Sequence, residues 1–166
     1  NRGCPYSCSF CDQQDLYYNK IAMFDYDRVI GEIDWIVKNK IDFLYFGDSN
    51  VGMFNRDVDF IRYIAKCRNE TGYPRQIDYS TAKQQPKRIV ELGEILNKEA
   101  KIRRGVTIAL QSMNPKTLKA IKRINLANEK LEQIVSDYNK AGVDNYCELI
   151  VGLPEETLDS WIEGIG

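Results

Sequence analysis

Apolar residues return along this chain in two alternating rhythms. From Asp25 to Asn39 they recur every three or four positions, at Val29, Ile33, Ile36 and Val37. That spacing puts them on one face of a helix, which Asp25 is suited to cap. Ile41 to Phe46 is a short apolar run that stops at Gly47 and predicts a buried strand. Arg56 to Arg68 resumes the helical spacing, with Val58, Ile61, Ile64 and Ala65 inward. Gln76 to Thr81 predicts a strand, and Pro86 to Leu96 a helix whose proline suits the first turn. Val106 to Gln111 is strand-like, and Asn114-Pro115 opens a short helix. Asn128 to Ala141 carries Leu131, Ile134, Val135 and Tyr138 on one helical face and ends at Gly142. Tyr146 to Val151 predicts the last strand, and a final helix starts from Glu156.

Four strands separated by helices, at intervals of about thirty to forty residues, describe a parallel α/β repeat. Right-handed crossovers would curl such a repeat into a barrel or part of one. No low-complexity stretch divides residues 1–166, so one domain is expected. Its boundaries look cut: no strand precedes the first cysteine, and the chain stops inside a helix. The expectation is a fragment of a longer chain, with unpaired strands at both edges.

Charge and composition narrow the chemistry. The net charge is −1, so no nucleic-acid footprint is visible. No apolar run reaches membrane-span length. The absence of histidine removes serine–histidine and cysteine–histidine nucleophile pairs from the chain. Proton chemistry is left to carboxylates, tyrosines and lysines.

Three of the five cysteines stand together, in Arg2-Gly3-Cys4-Pro5-Tyr6-Ser7-Cys8-Ser9-Phe10-Cys11. Three thiolates so spaced can hold three corners of a 4Fe-4S cluster and leave one iron open. A zinc site is the alternative, but there is no histidine, and Cys67 and Cys147 are single and distant. The odd count argues against a disulfide framework, and free thiols suit a reducing, cytoplasmic setting. Cys67 and Cys147 read as buried thiols, and Trp35 and Trp161 as packing residues.

In a parallel α/β fold the strand ends that lead into helices form the functional face. Phe46-Gly47-Asp48-Ser49-Asn50 ends the first predicted strand: Gly47 admits close backbone approach and Asp48 can accept from an ammonium, although all four polar or small residues also favour turns. Lys83 follows the second strand and can meet a carboxylate or remain solvated; Arg2 carries the same ambiguity. Gln111-Ser112 closes the third strand and suits a ribose or a helix cap. In Glu148-Leu149-Ile150-Val151-Gly152-Leu153-Pro154-Glu155, Glu148 shares a face with Ile150, which would carry a carboxylate into the interior. A lysine or arginine partner there would make its role structural. Glu155 is expected to serve the start of the last helix.

Taken in order, these features resemble the radical S-adenosylmethionine (SAM) superfamily, and most closely its members with an N-terminal cobalamin (B12)-binding domain. The cysteine motif with Phe10, Asp48-Ser49-Asn50-Val51-Gly52, Leu110-Gln111-Ser112-Met113-Asn114-Pro115 and Glu148 to Pro154 carry the likeness. Gly-Asp-Ser stands where the family has Gly-Gly-Glu, and Glu148 where it has the first glycine of its adenine motif. The resemblance implies a partial (β/α)6 TIM-like barrel truncated at both ends, lacking its first strand and last βα unit. It implies that Cys4, Cys8 and Cys11 hold a 4Fe-4S cluster. SAM would be bound by Phe10, Gly47, Asp48, Ser49, Lys83, Gln111, Ser112, Glu148, Ile150 and Gly152. Reductive cleavage of SAM to a 5′-deoxyadenosyl radical would follow, for cobalamin-dependent methyl transfer to an unactivated centre, with cobalamin held by an upstream domain. A cobalamin-independent radical SAM enzyme, such as a methylthiotransferase, and a non-enzymatic iron–sulfur or zinc protein are the alternatives. The implied partners are a small-molecule or peptide substrate and an electron donor such as flavodoxin or ferredoxin, without nucleic acid or membrane. Glu148 is the candidate catalytic residue, and Tyr79 and Thr107 are candidate interior contacts.

Overall fold

The structure is a computed structural model, and it describes residues 1–14, 20–102 and 105–165. Helix α1 spans Tyr26–Lys38; Asp25 caps it by accepting from the Asp27 and Arg28 amides at 3.0 and 3.2 Å. Strand β1 is Phe43–Tyr45 and helix α2 Asn55–Thr71. Strand β2 is Gln76–Asp78, and helix α3, Pro86–Glu94, runs on into a π turn over Ile95–Glu99. Strand β3 is Val106–Gln111, helix α4 Pro115–Ala120 and helix α5 Asn128–Ala141. Strand β4, Asn145–Leu149, and helix α6, Leu158–Glu163, complete the order. A 3-10 turn at Asp12–Gln14 follows the cysteines. Among the described residues no helix is long and apolar enough to cross a membrane.

All strand pairs are parallel, but they form two pairs, β1 with β2 and β3 with β4. The ladder expected to run through four strands breaks between β2 and β3. After Tyr79 the chain turns its backbone groups toward Val51: the Val51 amide donates to the Ser80 carbonyl and the Ala82 amide to the Val51 carbonyl, each at 2.9 Å. Those groups are then spent. The two halves meet where Thr81 Oγ1 donates to the Thr107 carbonyl at 2.9 Å.

The helices cover one face of the strands. Ile61, Ile64, Ile89, Leu92, Leu96, Ile134 and Val143 form the core with Ile77 and Val106, and Leu44 and Ile108 pack against it. Alternate side chains point away from the helices. That corrects the buried strand expected over Ile41 to Phe46: Leu44 is half-buried, but Phe43 and Tyr45 are exposed. Strand β4 is likewise exposed at Tyr146, Cys147 and Glu148. Cys147 is therefore not a buried thiol, whereas Cys67 is buried, and burial pushes its thiol up. Trp35 is 60% exposed, on the face of α1 turned from the core, and Trp161 is half-buried.

Candidate functional site

The cysteines occupy a loop clamped at its base by an antiparallel bridge, Arg2 and Ala22 exchanging backbone bonds of 2.9 Å in both directions. Three further contacts hold the loop against the carboxyl ends of the strands. The Ser9 amide donates to the Ile121 carbonyl at 3.0 Å, at the end of α4. Gln13 Nε2 donates to Ser49 Oγ at 2.7 Å, just past β1. Lys83 Nζ, past β2, lies 3.7 Å from Cys8 Sγ and 5.2 Å from the centre of the Tyr6 ring. Cys4 and Cys8 are buried, Cys11 is half-buried, and all three are free thiols. Among the described residues no three Cys, His, Asp or Glu side chains are gathered so that they could hold a metal ion.

A second cation stands behind Cys8. Arg123 is 7% exposed; its Nη2 donates to the Ala109 carbonyl and its Nε to Asn125 Oδ1 at 2.8 Å. Its Nη1 is buried without an acceptor. Burial pulls the guanidinium pKa down, and the neighbouring Cys8 and Tyr6 oppose that fall. The Tyr6 phenol is pushed up by burial and by Cys4, against the pull of Arg123. Tyr6, Cys4, Cys8 and Arg123 thus form one electrostatic group.

Past β1, Asp48 is buried, with Oδ1 accepting from the Asn50 amide at 2.9 Å. Asn50 is 2% exposed, and both polar atoms of its side chain lack partners. Gly47 is exposed, and a Cβ there would meet open space. Gly52 closes the loop at φ +91, its amide donating to Asp57 Oδ2 at 2.9 Å.

Past β3, Gln111 adopts φ +69 beside a register shift between Ala109 and Gln111. A left-handed backbone at a non-glycine residue is strained, and such strain gathers at functional sites. Its carbonyl accepts from the Ile150 amide at 2.8 Å, which ties the ends of β3 and β4 together. Ser112 is buried; its hydroxyl donates to Glu156 Oε2 and accepts from the Asn114 amide at 3.0 Å. Ser160 Oγ donates to Glu156 Oε1 at 2.5 Å. Burial raises the Glu156 pKa, but the bonds from Ser112 and Ser160 outweigh it and hold the carboxyl below its ordinary range. Glu156, not the exposed Glu155, therefore braces the last helix, which Thr157 caps through the Ser160 amide at 3.1 Å. Ile150 is half-buried, Gly152 turns at φ +82, and Phe10 is partly exposed on the cysteine loop.

The uncovered strand face lines a polar cavity of 290 Å³. Tyr45, Asp78, Thr107, Tyr146 and Glu148 reach into it from all four strands, and Ser49 and Lys83 stand where it meets the cysteine loop. Thr107 Oγ1 donates to the Tyr146 hydroxyl at 2.6 Å. Tyr79 lines the same cavity. Glu148 was expected to carry a carboxylate into the interior, with a cation partner as the structural alternative. It is exposed to the cavity instead, with no ion pair among the described residues.

Sequence reasoning missed Arg123 and Glu156. Arg123 sits among cations in Lys122-Arg123, where nothing but folding distinguishes the buried one from the solvated one. The donor chemistry of the loop nonetheless fits an iron–sulfur group: three free thiols, two of them buried, with two cations beside Cys8 to offset thiolate charge. The Asn50 side-chain amide, past β1, and Arg123 Nη1, after α4, are buried polar atoms without a hydrogen-bond partner.

Comparison with known proteins gives a consistent picture. Residues 1–164 match the Radical SAM superfamily. The chain is 34% identical over all its residues to the cobalamin-dependent radical SAM methyltransferase TokK of Streptomyces tokunonensis, covering 24% of that protein. It is 35% identical over all its residues to a 2-(S-pantetheinyl)-carbapenam-3-carboxylate methyltransferase of Streptantibioticus cattleyicolor, again covering 24%. The chain thus spans about a quarter of the length of these curated relatives. Among solved structures it superposes on the radical SAM methyltransferase TsrM of Kitasatospora setae with a TM-score of 0.73 and 20% identity, covering 99% of this chain and 32% of that one.

Proposed function

Because the chain belongs to the radical SAM superfamily, we propose that it is the core of a cobalamin-dependent radical SAM methyltransferase, built as a partial (β/α)6 barrel. The observation that carries this reading is the clamped cysteine loop, with three free thiols held against the strand ends by Ser9, Gln13 and Lys83. The matches over all of this chain to two named methyltransferases, one of them cobalamin-dependent by name, support this form.

In this reading Cys4, Cys8 and Cys11 are the ligands of a 4Fe-4S cluster, and Asp48 beside Gly47 accepts from the amino group of SAM. Arg123 Nη1, buried and lacking an acceptor, donates with Lys83 to the SAM carboxylate. Gln111 and Ser112 face the ribose, and Ile150 and Gly152, with Phe10, the adenine. Cluster and SAM together would supply one-electron cleavage of the sulfonium and the hydrogen abstraction that follows. The chain's part is to orient SAM, keep water from the thiols and present the substrate in the cavity of Tyr45, Thr107, Tyr146 and Glu148. Cobalamin, bound by a further domain, would carry the methyl group, in a cytoplasmic setting.

The test is anaerobic reconstitution of the full-length protein, reduction, addition of SAM, and mass-spectrometric quantification of 5′-deoxyadenosine and S-adenosylhomocysteine. Both products are expected, and both should vanish in Cys8→Ala. 5′-Deoxyadenosine alone would overturn the methyl-transfer part. Absence of both with an intact cluster would overturn the whole reading.

A further inference from the structure

The polar cavity on the uncovered strand face carries its charge unevenly. Its ammonium, Lys83, stands at the mouth, 3.7 Å from Cys8 Sγ and over the Tyr6 ring. The strands beyond it bring carboxylates and phenols. Tyr45 and Asp78 face each other in register across β1 and β2. Tyr146 and Glu148 alternate along β4 and so share a face. All four side chains are exposed and line the cavity.

The setting of Glu148 is open. Its register partner on β3 is Ala109, whose methyl offers no donor. The hydroxyl of Thr107, two positions along, donates to Tyr146 at 2.6 Å instead. Glu148 has no ion pair among the described residues. A carboxylate lining a recess without a cation of its own favours a ligand that brings one. Tyrosine rings add to that preference, because their faces attract ammonium groups.

We infer that this cavity takes a substrate bearing a protonated amine, with Glu148 the specificity-determining residue that accepts from its N–H groups, between Tyr45 and Tyr146. The inference deepens the proposed function and rests on its reading of this cavity as the substrate site. The amine is a handle and stays intact. Lys83 repels it from the mouth, so the ammonium end lies away from the cysteines and the remainder of the substrate points toward them.

The test uses the full-length, reconstituted protein with SAM at neutral pH and three probes of one skeleton. Phenethylamine is a cation there, N-acetylphenethylamine is neutral, and 3-phenylpropanoate is an anion. Their dissociation constants are read by ligand-observed nuclear magnetic resonance titration. The cation is expected to bind about tenfold or more tighter than either of the others. Glu148→Gln should weaken the cation by about fivefold or more and leave the neutral probe as it was, and Glu148→Asp should keep part of the preference. A damaged fold would weaken both probes alike, so their ratio reads the charge alone. Equal binding of the three probes, binding of none, preference for the anion, or a ratio unmoved by Glu148→Gln would overturn the inference. 5′-Deoxyadenosine formation by the unaltered protein is measured in parallel. Its presence alongside any of those results would confine the failure to the substrate class. Its absence would overturn the cluster reading, and with it the amine as a substrate.

Discussion

Lys83 Nζ stands 3.7 Å from Cys8 Sγ, so the loop after β2 delivers a cation to the middle cysteine of the motif. Seventy-five positions separate the two residues in sequence. The same ammonium lies over the Tyr6 ring, which fixes it from the other side.

A cation beside a thiolate ligand favours the more negative, reduced state of a cluster. Lys83→Met is therefore expected to leave iron content unchanged and lower the cluster's midpoint potential. A loss of about 1.4 kcal/mol corresponds to a shift of about 59 mV for a one-electron couple. A redox titration followed by electron paramagnetic resonance reads it, and an unmoved potential would refute the electrostatic role of Lys83.

Arg123 combines a buried guanidinium, two fixed bonds and a free Nη1. Arg123→Lys preserves charge but not the planar fork, so SAM affinity should fall by about tenfold or more. Equilibrium dialysis with labelled SAM measures it. Affinity equal to the unaltered protein would remove Arg123 from the binding site.

Gly52 is needed for its backbone and for its lack of a side chain. At φ +91 an alanine is strained, and its Cβ would clash with Ile89 Cδ1. Gly52→Ala should destabilise the fold by about 2–4 kcal/mol, read by denaturant unfolding. Adding Ile89→Val removes the clashing methyl and should restore part of the loss; no recovery would place the whole effect in the backbone.

Glu156 links β3 to α6 through Ser112 and Ser160. Its pKa in the fold is held below the ordinary value of 4.5, so its stabilisation is complete above that pH and fades as the carboxylate protonates. Thermal melts should place Glu156→Gln below the unaltered protein near neutrality, with the two curves converging as pH falls below 4.5 toward the lower folded value. A constant gap across that range would contradict the ionic role. Because the side chain is only half-buried, solvent screening should keep the gap small.

Glu148 lines the cavity from β4 without an ion pair among the described residues. Glu148→Gln is expected to leave 5′-deoxyadenosine formation intact and depress transfer to substrate. Unchanged transfer, quantified in the same assay, would leave Glu148 only a cavity wall.

The periodic patterns determined the element order because helix and strand spacing are local properties. Val106–Gln111 and Asn128–Ala141 form as their patterns predict, and Asp25 and Asn114 cap the helices they precede. The cysteine motif was equally legible, since three thiols within eight residues are neighbours in sequence before any tertiary fold forms. Burial was not legible. Phe43 and Tyr45 lie in an apolar run yet face the uncovered side of the strands, because which face the helices cover is settled by packing. Lys122 and Arg123 are adjacent cations with opposite fates. Only tertiary structure turned Arg123 inward to the Ala109 carbonyl and left Lys122 in solvent, as it alone carried Lys83 to Cys8. Local sequence sets the conformational preferences of neighbouring residues. The field around a thiol is made by groups brought close in space from distant parts of the chain.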